Sequence, residues 1–191
     1  MAQGVTTLSQ QLREALRLSL EAAIKASRPR KYVPSVELIV YFKDYNPKQP
    51  EYSFKDAVYL PHGLGEDASV CVVADGDMLK RASEAGAFRV LSKDELAGLS
   101  KKEARKLAAS CDWILVRADL MATAGRVLGP FVGPRGKTFI PVPPSADIAT
   151  LIQRYKRTTR LFSKDQPFVA AKVGKASMPV DDIVSNIIEV L

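Results

Sequence analysis

Two short, wholly apolar runs in the middle of the chain constrain its fold most: Val70–Ala74 and Trp113–Val116. Strands that are buried on both faces have this character, because helices cover both sides of a parallel sheet. Segments with helical spacing alternate with these runs, and strands alternating with helices indicate a parallel α/β sheet. We therefore predict a Rossmann-like α/β domain of three layers at residues 67–159.

The two ends of the chain have a different pattern, in which helix and strand signals come in separate groups. Six elements are expected there: a helix at about 8–26, strands at about 36–42, 54–60 and 159–163, and a last strand and helix at about 168–173 and 180–191. We predict that residues 1–66 and 160–191 form one α+β domain, split by the inserted α/β domain.

The charge of the chain favours a polyanionic partner. The net charge is +7, and residues 117–160 carry eight basic and two acidic side chains, a surplus of 8 − 2 = +6. A surplus of this size suits nucleic acid or an anionic membrane. No stretch approaches the roughly 20 apolar residues that span a bilayer, so we expect nucleic acid and no membrane.

Residues 28–32 form a smaller basic cluster beside an aromatic side chain, Tyr32. Basic side chains neutralise phosphates, and an aromatic ring can stack on an unpaired base. A basic cluster alone is more often a solvated surface, so this cluster does not by itself establish RNA binding.

The chain offers little for catalysis. The single histidine, His62, has no nucleophile at a recognisable spacing. The loop Gly133–Lys137 lacks the spacing of a phosphate-binding loop, and Asp75-Gly76-Asp77 lacks the dinucleotide fingerprint, so that Asp77 is better read as a helix N-cap. We expect no cofactor and no enzyme; an α/β enzyme acting on a phosphorylated small molecule at Asp75–Asp77 remains the alternative.

The two cysteines, Cys71 and Cys111, each lie in an apolar run. One histidine and two scattered cysteines make no zinc site, and we expect no metal. Both cysteines are expected to be reduced, buried thiols of a cytosolic protein.

An ordered set of motifs resembles the ribosomal protein L-one family over essentially the whole chain. The motifs are Leu60-Pro61-His62-Gly63, Gly129–Lys137 with its Pro141-Val142-Pro143 tail, and Val173-Gly174-Lys175. Residues 28–32, leading into Ser35-Val36-Glu37, resemble archaeal members. The interrupted layout of two domains is also that of the family. Three departures stand out: Thr138-Phe139 replaces the family's usual Met-Pro, the family continues beyond Leu191 with a helix and a strand, and most of the charge surplus lies in the inserted domain or its exit helix rather than on the split domain.

The resemblance implies a structural protein of the large ribosomal subunit, located on the ribosome in the cytoplasm. It implies binding to large-subunit ribosomal RNA at the mobile stalk near the tRNA exit site, beside other ribosomal components, and help in releasing deacylated tRNA. It also implies repression of the protein's own messenger RNA through its leader. A free-standing regulatory RNA-binding protein is the nearer alternative.

The same resemblance implies where RNA binds. Carried over residue by residue, the principal site is on the split domain: Arg30, Lys31, Tyr32, Ser35, Glu37, Gly174, Lys175 and Ser177. Lysines would contact phosphate, Tyr32 would pack on a ribose or base, and Ser35 and Glu37 would bond to 2′-hydroxyls or base edges. Arg135 and Lys137 are expected either to make a secondary RNA contact or to form an interdomain loop.

Overall fold

The computed structural model describes residues 2–46, 52, 54–163 and 166–191. The chain forms two compact units: unit 1 comprises Met1–Glu66 and Thr158–Leu191, and unit 2 comprises Asp67–Arg157. The chain returns to unit 1 two residues earlier than the sequence predicts, because a strand of unit 1 already begins at Thr158.

Seven α-helices and eight strands are found in the described residues. In chain order they are α1 Ala2–Ala26, β1 Ser35–Tyr41, β2 Phe54–Tyr59, β3 Val70–Val73, α2 Asp77–Glu84, β4 Arg89–Leu91, α3 Lys93–Gly98, α4 Lys101–Ser110, β5 Trp113–Arg117, α5 Met121–Val132, β6 Phe139–Val142, α6 Ile148–Lys156, β7 Thr158–Ser163, β8 Phe168–Lys175 and α7 Val180–Val190. None of these helices has the length and apolar content that crossing a membrane would require.

Unit 1 is built on two antiparallel strand pairs, β1 with β8 and β2 with β7. Exposure alternates along β1, as it does in a strand with one face on a core and one in water. The inward residues Val36 and Leu38 pack with Leu20 of α1 and Ile183 of α7. The helices therefore cover one face of the β1–β8 pair, while on the other face the side chains of β1 are exposed and most of those of β8 are half-buried.

Unit 2 is a parallel four-stranded sheet with the order β4-β3-β5-β6. On one face, Ile114 and Val116 share a core with α3, α4 and α5. On the other, the ring of Trp113 packs on Tyr155 of α6 at a centroid distance of 5.1 Å. Unit 2 therefore has three layers with a buried sheet, and the predicted fold class is confirmed.

The proline-rich stretch of unit 2 is more regular than the sequence suggests. The residues from Leu120 on predict a helix only to about Leu128, before the Gly/Pro-rich stretch, yet α5 continues to Val132 with Pro130 inside it. Its side chains at 124, 128 and 132 are buried, and this burial offsets the hydrogen bond that proline removes. Pro141 lies in β6, which the sequence does not predict; β6 is an edge strand, where a missing N–H is tolerated.

The expectation of two reduced thiols is wrong. Cys71 of β3 and Cys111, the residue that ends α4, form a disulfide with a Cα–Cα distance of 5.7 Å. Both side chains are fully buried. The expectation rested on the redox state of an ordinary cytosol, whereas the fold brings two apolar runs together and thereby pairs the two sulfurs.

Candidate nucleic-acid interface

The pairing of β1 with β8 brings the two ends of the chain together. Ser35 lies opposite Lys175, and Glu37 lies opposite Lys172. Cross-strand partners of this kind have Cβ atoms about 5 Å apart. Two of the predicted RNA-binding segments therefore form one surface, although the whole of unit 2 separates them in the sequence.

The turn that follows β8 fixes this surface further. Ala176 N donates to Pro34 O at 3.0 Å, and Met178 N donates to Lys175 O at 3.0 Å. Ser177 is exposed in this turn. The first bond ties the turn to the segment just before β1, so the predicted residues of both segments lie at the same end of the strand pair.

An exposed aromatic side chain, Tyr32, stands in the segment that leads into β1. Its side chain is 61% exposed. The guanidinium of Arg30 donates to its hydroxyl, with the guanidinium carbon 5.6 Å from the ring centroid. We call the surface made by residues 30–37 and 172–177 the platform. It carries cations, a solvated ring and hydroxyl and carboxylate groups, which are the groups that contact phosphate, base and sugar.

Gly174 differs from the other predicted site residues because it is buried. A Cβ atom at this position would come within 3.0 Å of Met178 Sδ and 3.2 Å of Ile183 Cγ1. The structure therefore gives Gly174 a packing role: it lets the turn after β8 close onto the core of unit 1.

A further cation, Lys172, belongs to the platform, and the sequence reading missed it. The β1–β8 register shifts between Val36 and Glu37, so that β8 holds one extra residue, Val173. Residues three apart in a regular strand face opposite sides, but a bulge between them places both on the same side. Lys172 and Lys175 therefore share a face, which no alternation rule applied to the sequence would indicate.

Both lysines are paired with one carboxylate, that of Glu66. Lys172 Nζ lies 2.8 Å from Glu66 Oε1, and Lys175 Nζ lies 2.6 Å from Glu66 Oε2. Hydrogen bonds from Lys172 and then Lys175 lower the pKa of the Glu66 carboxyl from 4.5 to about 2. An acidic group that is ionised throughout the neutral pH range therefore lies against the two lysines of the platform.

The segment before Glu66 is held close to the platform. Gly65 has φ +78°, and a Cβ there would lie 2.9 Å from Met178 Sδ and 3.0 Å from Lys175 Cβ. The fully buried Asn186 of α7 secures the same segment: its amide nitrogen donates to Gly63 O and Val173 O, and its oxygen accepts from His62 N. This network fixes the position of Glu66 relative to Lys175.

In unit 2, Arg135 and Lys137, which are predicted to make a secondary RNA contact or to form an interdomain loop, have different surroundings. Lys137 Nζ donates to three backbone carbonyls, those of Ala108, Ala109 and Cys111, at 3.0, 3.2 and 2.6 Å. A cation at the C-terminus of a helix is favoured by the helix dipole and satisfies carbonyls that lack a partner. Lys137 thus stabilises the end of α4, whereas Arg135 is exposed and donates to Phe131 O.

Much of the charge surplus at 117–160 is engaged within unit 2. Arg117 bonds to Asp119 through both its Nε and Nη2 atoms and also donates to Asp75 O. Lys156 lies 3.4 Å from Asp67. The position of a charge in the sequence is therefore a poor guide to whether that charge is available to a partner at the surface of this unit.

The structure does not support the alternative of an enzyme site for a phosphorylated small molecule at Asp75–Asp77, after the end of β3. Asp77 is not a helix N-cap as expected: Gly76 holds that position, without a side-chain cap, and Asp77 lies in the first turn, paired with Arg81. Asp75 and Asp119 add carboxylates around Arg117, which would repel a phosphorylated ligand. The described residues contain no cluster of metal-binding side chains either.

Comparison with known proteins gives a consistent result. The Large ribosomal subunit protein uL1 of Staphylothermus marinus is 49% identical over 174 residues, which cover 91% of this chain and 81% of that protein. The proteins of the same name from Hyperthermus butylicus and Aeropyrum pernix are 45% and 44% identical, covering 94% and 91% of this chain and 83% and 80% of those proteins. The Ribosomal protein L1p/L10e family matches residues 22–191, and the chain therefore belongs to this family.

Proposed function

We propose that this protein is a structural component of the large ribosomal subunit that binds large-subunit ribosomal RNA through the platform. Its relatives are named as large-subunit proteins, and its family consists of ribosomal proteins rather than enzymes, so the prediction of a non-catalytic chain is confirmed. The ribosome of the cytoplasm is accordingly where the protein acts.

One observation carries the RNA-binding part of this proposal. The β1–β8 register and the Ala176–Pro34 bond bring residues 30–37 and 174–177 together at one end of the strand pair. The groups gathered there match a folded RNA: ammonium groups for phosphates, a ring for a sugar or base, and Ser35 and Glu37 for 2′-hydroxyls. No bond needs to be made or broken in this role.

A binding titration with two matched variants tests the proposal. The probe is a large-subunit ribosomal RNA transcript from Staphylothermus marinus, with the small-subunit transcript as the competing RNA. Tyr32→Ala should lower the affinity by roughly tenfold or more, because base or sugar stacking is lost. Tyr41→Ala is the control, since Tyr41 is also an exposed tyrosine but lies at the other end of β1. Equal effects of the two changes would contradict the proposal.

The resemblance supports three finer roles, which we propose with it: a place on the mobile stalk near the tRNA exit site, help in releasing deacylated tRNA, and repression of the protein's own messenger RNA. If one platform serves both RNAs, the messenger leader should compete with the ribosomal transcript, and Tyr32→Ala should weaken both. Leader binding that survives Tyr32→Ala would contradict the shared site.

Ribosomes carrying the Tyr32→Ala variant should release exit-site tRNA more slowly than ribosomes with the unchanged protein. An unchanged release rate would contradict the proposed role in tRNA release.

A further inference from the structure

One carboxylate beside the platform, that of Glu66, pairs with two lysines at the same time. The ammonium groups of Lys172 and Lys175 approach different oxygens of Glu66, at 2.8 and 2.6 Å. A phosphodiester of RNA also presents two unesterified oxygens that share a negative charge, and lysine ammonium groups form the same charge-assisted hydrogen bonds with phosphate as with carboxylate. The position that the Glu66 carboxylate fills is therefore suited to a backbone phosphate.

We propose that Lys172 and Lys175 together bind one RNA phosphate, and that the Glu66 carboxylate occupies this phosphate position while RNA is absent. The inference rests on the proposed function and extends it to two residues that the sequence does not single out, Lys172 and Glu66. The β8 bulge has a role in this site, because it places the two lysines on the same face of the strand.

The exchange of Glu66 for phosphate is sterically simple. The side chain of Glu66 is 53% exposed, whereas those of Lys172 and Lys175 are 29% and 22% exposed. The carboxylate thus lies on the solvent side of the two cations and can swing away while the lysines stay in place. The backbone that carries it is fixed by Gly65 and need not move.

The Glu66 carboxylate also reduces the free energy that any polyanion gains by binding to Lys172 and Lys175. Any polyanion must first replace two charge-assisted hydrogen bonds, and an isolated phosphate contact gains little from that exchange. An RNA that also engages Tyr32 and Ser35 gains additional contacts that offset the loss. Glu66 should therefore weaken nonspecific binding more than specific binding, as a repulsive element does in other selective interfaces.

A set of charge-removing variants, titrated against the Staphylothermus marinus large-subunit transcript at several salt concentrations, tests the inference. Glu66→Gln should tighten binding by roughly threefold or more and steepen the salt dependence. The reason is that the ammonium groups of Lys172 and Lys175 no longer pair with a carboxylate and can both bind phosphate. Lys172→Gln should weaken binding and reduce the salt slope by about one. Lys172→Arg keeps the charge and should retain most of the affinity. Lys43→Gln, at an exposed lysine beyond the end of β1, is the matched control.

The outcomes separate this inference from the function on which it rests. Unchanged or weaker binding by Glu66→Gln, or equal effects of Lys172→Gln and Lys43→Gln, would overturn the phosphate position. If Tyr32→Ala still reduces affinity in that case, the platform remains the RNA site. If the unmodified protein shows no preference for the large-subunit transcript over the small-subunit transcript, both proposals fail. Thermal melting of each variant verifies that the protein is folded.

Discussion

Ser35 lies directly opposite Lys175 in the antiparallel pair of β1 and β8, and the whole of unit 2 lies between them in the chain. The pairing makes a single surface out of two chain segments that both contain side chains proposed to bind RNA. Contacts of such high sequence separation are costly in loop entropy, so the integrity of this surface depends on the core beneath it.

Asn186 should be the polar residue on which unit 1 depends most. It is fully buried and joins α7 to β8 and to the segment before Glu66 through three hydrogen bonds. Asn186→Ala should lower the free energy of unfolding by about 2–4 kcal/mol, because buried backbone groups lose their partners. Urea unfolding followed by circular dichroism measures this. Ser185→Ala, one position away, should change the free energy of unfolding by less than about 0.5 kcal/mol. Similar losses for Ser185→Ala and Asn186→Ala would contradict the role of Asn186 in stabilising unit 1.

Lys137 should contribute to the stability of unit 2. Its ammonium group donates to three carbonyls at the end of α4. Lys137→Ala should lower the free energy of unfolding by about 1–3 kcal/mol, measured by the fluorescence of Trp113, the only tryptophan of the chain. Lys106→Ala, at an exposed position of the same helix, serves as control. A loss of RNA affinity without a loss of stability would show instead that Lys137 contacts RNA.

The disulfide should stabilise unit 2 through its effect on the unfolded chain. Cys71 and Cys111 are separated by 40 residues in the sequence. Closing a loop of this length contributes about 2–4 kcal/mol. Urea unfolding with and without reductant should show this difference, and the Cys71→Ala/Cys111→Ala variant should not respond to reductant. Detection of two free thiols in protein unfolded without reductant would contradict the pairing.

Glu66 should titrate far below an ordinary glutamate. Its pKa is about 2 in the folded protein against a usual value of 4.5, mainly because of the hydrogen bonds from Lys172 and Lys175. Because the pKa of Glu66 is lower in the folded protein than in the unfolded chain, its ionised form stabilises the fold above pH 4.5. This stabilisation is lost as the pH falls through about 2. The thermal stability of the protein relative to Glu66→Gln should therefore decline over this range. Carboxyl NMR shifts follow the same group, and a midpoint near 4.5 would show that the ion pairs do not persist in solution.

The sequence predicts the elements of this fold well where periodicity is strong. The apolar runs at β3 and β5 identify a buried parallel sheet, and the amphipathic patterns at both ends identify the split unit. It fails at Pro130 and Pro141, where local conformational preference opposes the fold. In both places burial or an edge position makes the proline tolerable, and neither condition is visible in the residues themselves.

The site is less predictable than the fold, for two physical reasons. Lys172 reaches the platform only because a bulge reverses the alternation of β8. Glu66 joins it because Gly65 and the Asn186 network hold a distant segment against Lys175. Both effects depend on tertiary contacts between segments far apart in sequence. The resemblance names Lys31, Tyr32 and Lys175 as expected RNA contacts, but it names neither Lys172 nor Glu66, which forms ion pairs with Lys172 and Lys175.

Ultraviolet cross-linking of the protein to the large-subunit transcript, followed by mass spectrometry of the joined peptides, shows whether both segments of the platform contact RNA. We expect that Tyr32 and the peptide containing Lys175 are both joined to RNA, and that an excess of unlabelled transcript removes both cross-links together. Cross-links confined to unit 2, with none in either segment of the platform, would contradict this expectation.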